Sequence, residues 1–148
     1  MSAGARDTEE EVRRLIIELR ILEGAAGQIQ ARLNLINTAL VELNLASMAL
    51  EGIEKKSSDH IFVPIGGGSY IKARLEDTDK VVYGIGAGAA IEKSIKEAKE
   101  DIENRISELN KARVALEQQL SQVLAKMQEG QNRLRELTSA IRGAEMKK

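Results

Sequence analysis

The chain has no cysteine and no tryptophan, and its 148 residues include one proline, one histidine and only three aromatics, Phe62, Tyr70 and Tyr83. Without cysteine there can be no disulfide and no thiolate metal site, which is compatible with a reducing compartment. His60 has no second histidine or cysteine with which to complete a zinc site. So few aromatics argue against a surface that stacks nucleobases. An excess of one charge is missing too: 22 basic residues against 23 acidic leave no net field for a phosphate backbone or an anionic lipid. No run reaches the roughly 18 consecutive apolar residues of a membrane span, and Met1 to Glu11 lacks the apolar core of a signal peptide. The expectation is a soluble, cytoplasmic protein with no nucleic-acid, membrane or small-molecule partner.

What the chain does have is heptads. Leu15, Leu22, Ile29, Ile36, Leu43 and Leu50 recur every seventh residue, interleaved with Val12, Leu19, Ala26, Leu33 and Leu40. A second run reads Ile102, Leu109, Leu116, Val123 and Leu137, interleaved with Ile106, Leu120, Met127, Leu134 and Ile141. Such alternating three- and four-residue steps make a narrow apolar seam, which only another helix buries. The fold class expected is mainly α: a long antiparallel two-helix coiled-coil hairpin. Its first helix spans 7–57, started by Asp7 or Thr8 with Glu9 to Glu11 at the positive dipole end and stopped at Ser57, Ser58 and Asp59. Its second spans 93–142, starting near Ser94, with a tail over 143–148. About 50 residues at about 1.5 Å each give rods of about 70 Å, matched in length.

Between the rods the period changes to two. Ile61, Val63 and Ile65 alternate with Phe62 and Pro64 before Gly66-Gly67-Gly68; Tyr70-Ile71-Lys72-Ala73-Arg74-Leu75 runs to a turn at Glu76-Asp77-Thr78-Asp79; Val81-Val82-Tyr83-Gly84-Ile85 and a short Ala89-Ala90-Ile91 complete four strands. This predicts a double β-hairpin over 60–92, with Pro64 at an edge or strand end. Isolated hairpins are marginal in water, and open edges invite pairing with other chains. Ile61, Val63, Ile65, Tyr70, Ile71, Leu75, Val81, Val82, Tyr83 and Ile85 are therefore the expected oligomerisation residues, closing a sheet or β-barrel shared among subunits.

The motifs that hint at chemistry are better read as structure. Gly66-Gly67-Gly68-Ser69 is not followed by Lys-Ser or Lys-Thr opening a helix, as a phosphate loop requires. Gly84-Ile85-Gly86-Ala87-Gly88 lacks the βαβ unit and second-strand acid of a dinucleotide site. Both suit tight turns. Glu76 and Asp77 sit in a polar turn with no pocket to turn them into a catalytic pair. No catalytic, metal or cofactor-binding residue is assigned, and no enzyme activity is expected. More telling are Ile16, Ile17 and Ile21, apolar but off the seam, at the end of the hairpin away from the β segment. Gly24, Gly27 and Gly130 fall in the same half, each costing about 1 kcal/mol relative to alanine. A loose end with exposed isoleucines suits adaptable binding of unlike apolar segments. Leu35, Val41, Leu45 and Met48 are also off the seam, and are expected to pack under the sheet or against a neighbour.

With these features together, the sequence resembles the α-type subunits of archaeal prefoldin over nearly its whole length. The most specific match is the linker, Phe62-Val63-Pro64-Ile65-Gly66-Gly67-Gly68-Ser69-Tyr70-Ile71-Lys72-Ala73 and then Val81 through Lys93, against the family's VPIGxGSxIKA and VxxGxGxxIEK segments. β-type subunits carry a single hairpin, so two hairpins favour α. The resemblance implies a hexamer of two α and four β subunits whose hairpins close two barrels. It also implies ATP-independent capture of unfolded polypeptides between the coiled coils, and delivery to a group II chaperonin. It places client contacts at the distal ends, here Val12, Leu15, Ile16, Ile17, Leu19 and Ile21 with Leu134, Leu137 and Ile141. The alternative is a coiled-coil scaffold, or a divergent relative, that binds one folded partner.

Overall fold

The computed structural model describes residues 3–55, 59–76 and 79–147. In chain order it comprises helix α1 (Ala3–Glu54), strands β1 (His60–Gly66), β2 (Ser69–Arg74), β3 (Lys80–Gly86) and β4 (Ala89–Ser94), and helix α2 (Ile95–Met146). Each helix is 52 residues long, so the expected match in length holds. The boundaries differ from the sequence expectation at three ends. Helix α1 begins before Asp7, so neither Asp7 nor Thr8 caps it; the Thr8 hydroxyl instead donates to the Gly4 carbonyl at 2.9 Å. Its first turn holds no acid, and Glu9 to Glu11 fall in the body of the helix. At its other end α1 stops at Glu54, with Lys55 N–H closing onto the Glu51 carbonyl at 3.0 Å. The proposed stop residues Ser57 and Ser58 lie outside the described residues, as do Asp77 and Thr78 of the turn. Helix α2 continues to Met146, through most of the segment expected as a tail. It starts where Ser94 predicts: the Ser94 Oγ accepts from the Glu97 N–H at 3.1 Å, and Glu97 stands three residues on as in a capping box.

By contacts the chain divides into two units, residues 1–36 with 111–148 and residues 37–110. In the first, the seam of α1 faces that of α2, and Leu33 and Leu137 are its buried members. Arg113 takes a seam position, where its Nε reaches no closer than 3.8 Å to Glu117. In the second unit the core is a cluster of Leu50, Ile95, Ala98 and Ile102, with Leu43, Ala46, Ile53, Ile106 and the strand residues Val81 and Tyr83 packed on it. Lys99, half-buried, donates to Glu54 at 3.0 Å, a hydrogen bond that raises the lysine's pKa.

The four strands form two separate antiparallel pairs, β1 with β2 and β3 with β4. The second pair repeats the first with a 20-residue offset: His60 opposes Arg74 as Lys80 opposes Ser94, and Val63 opposes Ile71 as Tyr83 opposes Ile91. Both carry a bulge at the same place, Pro64/Gly66 and Gly84/Gly86. Both turn through two residues of positive φ, Gly67-Gly68 (60° and 75°) and Ala87-Gly88 (51° and 75°), the mirror-image turn that matches strand twist. Even the closing hydrogen bond recurs: Leu75 N–H to the Asp59 carbonyl at 2.8 Å, Ile95 N–H to the Asp79 carbonyl at 3.2 Å. The linker is one hairpin built twice.

Helix α1 also contains an 18-residue window of mean hydropathy 1.3, apolar and long enough by composition alone to cross a membrane. It passes although Asn34, Asn37 and Asn44 interrupt its apolar residues.

Candidate interaction surfaces

In the first unit, the N-terminal part of α1 presents Ile16, Ile17 and Ile21 to solvent, Ile17 and Ile21 at 59% and 65% exposure. Their off-seam positions put them there: the seam beside them is already occupied by Leu15, Leu19 and Leu22, which are half-buried against α2. Val12, Leu134 and Ile141 are half-buried as well, and Leu137 is only 7% exposed. The nine residues expected to touch a client thus divide into three exposed, five half-buried and one inside the seam. A ligand reaches Leu137 only where the helices part.

Beside Ile21 lies a groove of about 560 Å³, floored by Leu15, Leu22, Ile21 and Gly130 and rimmed by Glu18, Lys126, Glu129 and Arg133. Gly130 makes room for the seam at this level. A Cβ placed on it would stand 3.0 Å from Leu19 Cδ2, whereas Cβ atoms on Gly24 and Gly27 would meet nothing. The sequence treats the three glycines alike, as sources of looseness; the packing separates them. Arg133 forks across to Glu11, donating from Nε at 2.9 Å and from the guanidinium Nη2 at 3.4 Å, and also reaches Glu136 at 3.3 Å. That hydrogen bond holds the Glu11 carboxyl below its usual range.

In the second unit the hairpins expose apolar side chains on both faces. Of the ten residues expected to oligomerise, Ile61, Leu75, Val81 and Tyr83 are half-buried, and Val63, Ile65, Tyr70, Ile71, Val82 and Ile85 are exposed. Phe62 and Ile91 belong with the exposed set but lie outside the expected one, which takes only the Ile61, Val63 and Ile65 face of β1 and no residue of β4. Phe62 and Val82 occupy the same position of the repeat, and both are more than two-thirds exposed. Strands apolar on both faces are characteristic of sheets covered on both sides.

The two hairpins differ in how they are held. The Lys93 ammonium and the Arg105 guanidinium stand over the ring of Tyr83, at 4.7 Å and 4.8 Å from its centroid, and Lys93 pairs in turn with Asp101 of α2. The equivalent positions of the first hairpin are Val63 and Ala73, which form no such clamp. Instead Ile61, Phe62 and Leu75 line a groove of about 430 Å³ against Ala49, Gly52 and Ile53 of α1. Among the described residues no group of three or more acidic or histidine side chains could hold a metal ion.

The family described as "Prefoldin subunit" matches residues 22–140. "Prefoldin subunit alpha" of Methanopyrus kandleri is 36% identical over 116 residues, 78% of this chain and 74% of that protein. "Prefoldin subunit alpha" of Pyrococcus horikoshii is 31% identical over 132 residues, 83% of this chain and 89% of that protein. Among solved structures, a chain of filamentous PFD from Methanocaldococcus jannaschii aligns over 81% of this chain and 94% of its own, at 26% identity and a TM-score of 0.47. The matched span contains both hairpins and most of each helix; the chain belongs to the prefoldin family, and its similarity is to the alpha-type subunits.

Proposed function

We propose that this chain is a subunit of an ATP-independent holdase that captures unfolded polypeptides in the cytoplasm and passes them to a group II chaperonin. It assembles with β-type subunits, two α to four β, through the exposed faces and edges of its two hairpins. It grips clients with the terminus-bearing ends of its helices, where Ile16, Ile17 and Ile21 stand beside the Gly130 groove. The observation that carries the reading is this patch: apolar side chains exposed next to a groove whose floor is apolar and whose rim bears both charges. An apolar floor takes side chains of many shapes, and a mixed rim keeps the surface soluble while unoccupied. Each contact is weak, and several arms holding one chain supply the affinity by avidity. No step in this cycle needs a bond made or broken by the protein.

The test is a variant with Ile16, Ile17 and Ile21 all changed to Ser. Assembly, measured by light scattering, should be unaltered, while suppression of aggregation of a denatured test protein should fall several-fold. Undiminished suppression by correctly assembled variant would refute the assignment of this patch. The same assay separates a holdase from a scaffold for one folded partner, since a scaffold ignores unrelated denatured proteins.

A further inference from the structure

Helix α1 carries a second apolar stripe that neither seam nor hairpin covers. Within residues 37–110, Val41, Leu45 and Met48 are each 60% or more exposed. Their spacing, four then three, continues to Gly52 four residues on, which is the step of a coiled-coil seam. The side chains on such a stripe fall on one helix face. It faces away from the stripe already used by Leu40, Leu43 and Leu50, which are buried or half-buried.

Three features distinguish this stripe from the isoleucine patch. First, charge is nearly absent around it: between Arg32 and Glu51 the only charged residue is Glu42, in a chain that is 30% charged. The isoleucine patch is by contrast surrounded by Arg13, Arg14, Glu18, Arg20 and Glu23. Loss of charge with retained apolar bulk is the composition of a permanently covered interface core, and interspersed charge that of a surface often left wet. Second, the stripe runs without a break into the hairpin surface, because Ala49 and Gly52, the next turns after Leu45, form the α1 wall of the groove that Ile61, Phe62 and Leu75 complete. Third, Gly52 is not required by the chain's own packing: a Cβ there would meet nothing within 4 Å. A helical glycine with open space above it suits close approach by another backbone.

We infer that the Val41–Leu45–Met48 stripe is a subunit interface, covered in the assembled particle by a helix of a neighbouring subunit before any client is present. Heptad spacing selects a helix as the occupant, and continuity with the first hairpin selects a subunit already joined there. The inference rests on assembly through the hairpins and extends that contact onto α1. The isoleucine patch is then the face left open for clients.

The absence of cysteine supplies a clean probe. In this chain, Leu45→Cys and, separately, Ile21→Cys introduce single thiols whose rates of reaction with a maleimide are measured in the dissociated chain and in the assembled particle. Without client, the thiol at position 45 should react at least about tenfold more slowly after assembly, as an interface that excludes water requires. The thiol at position 21 should be unaffected until a denatured protein is added. Equal rates at position 45 before and after assembly would overturn the inference while leaving the hairpin contact intact. Protection that appears only on adding denatured protein or lipid vesicles would also overturn it, reassigning the stripe to that ligand. If light scattering finds no particle at all, the assembly reading falls with it.

Discussion

At the scale of single residues, the glycines show how one residue type serves unlike purposes. Gly24 and Gly27 sit in α1 with nothing near a prospective Cβ, so alanine there should recover helix propensity at no steric cost. Each replacement should stabilise the helix pair by about 0.5–1 kcal/mol, read as a higher midpoint of thermal unfolding by far-UV circular dichroism. Gly130→Ala makes the same propensity gain but drives its new methyl into Leu19, 3.0 Å from Cδ2. Leu19 must turn aside, so the gain should be smaller than at Gly27 or vanish. Equal gains at both positions would show that the close packing of Leu19 on Gly130 does not matter. A glycine in a heptad pattern is visible in sequence; whether it leaves space or admits a neighbour depends on the register of the facing helix. One heptad pattern alone does not set that register.

At the scale of elements, the helices and strands were legible because their periods are clean. The seam positions are the buried and half-buried ones, and Ser94 caps α2 through a hydrogen bond to Glu97 N–H. The start of α1 was not legible: Ala3 to Arg6 lack a seam and a cap, so periodicity gives no sign of them, and Asp7 and Thr8 offered a plausible false start. The duplication of the hairpin shows in sequence only as Ile65-Gly66-x-Gly68-x-x-Ile71 recurring 20 residues on as Ile85-Gly86-x-Gly88-x-x-Ile91, a signal confined to the turn while the strands on either side differ. Of the two surfaces, the isoleucine patch was legible as an exception to the seam. Phe62 was not, because the alternation of Ile61, Val63 and Ile65 credits only the opposite face of β1. The helix pair of the first unit has a clasp in Arg133 and Glu11, and its pH dependence follows from sign. The Glu11 carboxyl is held below its usual range by the hydrogen bond from Arg133. Its contribution is therefore complete above the ordinary glutamate value of about 4.3 and is lost as pH falls through the lowered folded value. Both partners are exposed, so the effect is small and screened by salt. Glu11→Gln should unfold at a lower temperature than the parent near neutral pH and low salt, and the difference should close on acidification below pH of about 4. A difference that persists in acid would show that the clasp is not ionic.

At the scale of the whole molecule, the proposed function assigns the hairpins to joining and the terminus-bearing helix ends to gripping. The joining part is tested by removal: a chain lacking Ile61 to Ile91 should be unable to form the particle, alone or mixed with a β-type subunit, as judged by mass in light scattering. A stable hexamer from that truncated chain would refute assembly through the hairpins. The repeat within the linker carries a further consequence, best put in the language of polymers. Two hairpins of the same register would give the chain a functionality of two, with the second fixed by Tyr83, Lys93 and Arg105 and the first lacking that clamp. A subunit with a single hairpin has a functionality of one and terminates whatever it joins. If hairpin-to-hairpin contact is the link, the proportion of terminators to two-link chains sets the size at which growth stops, much as a monofunctional additive caps a condensation polymer.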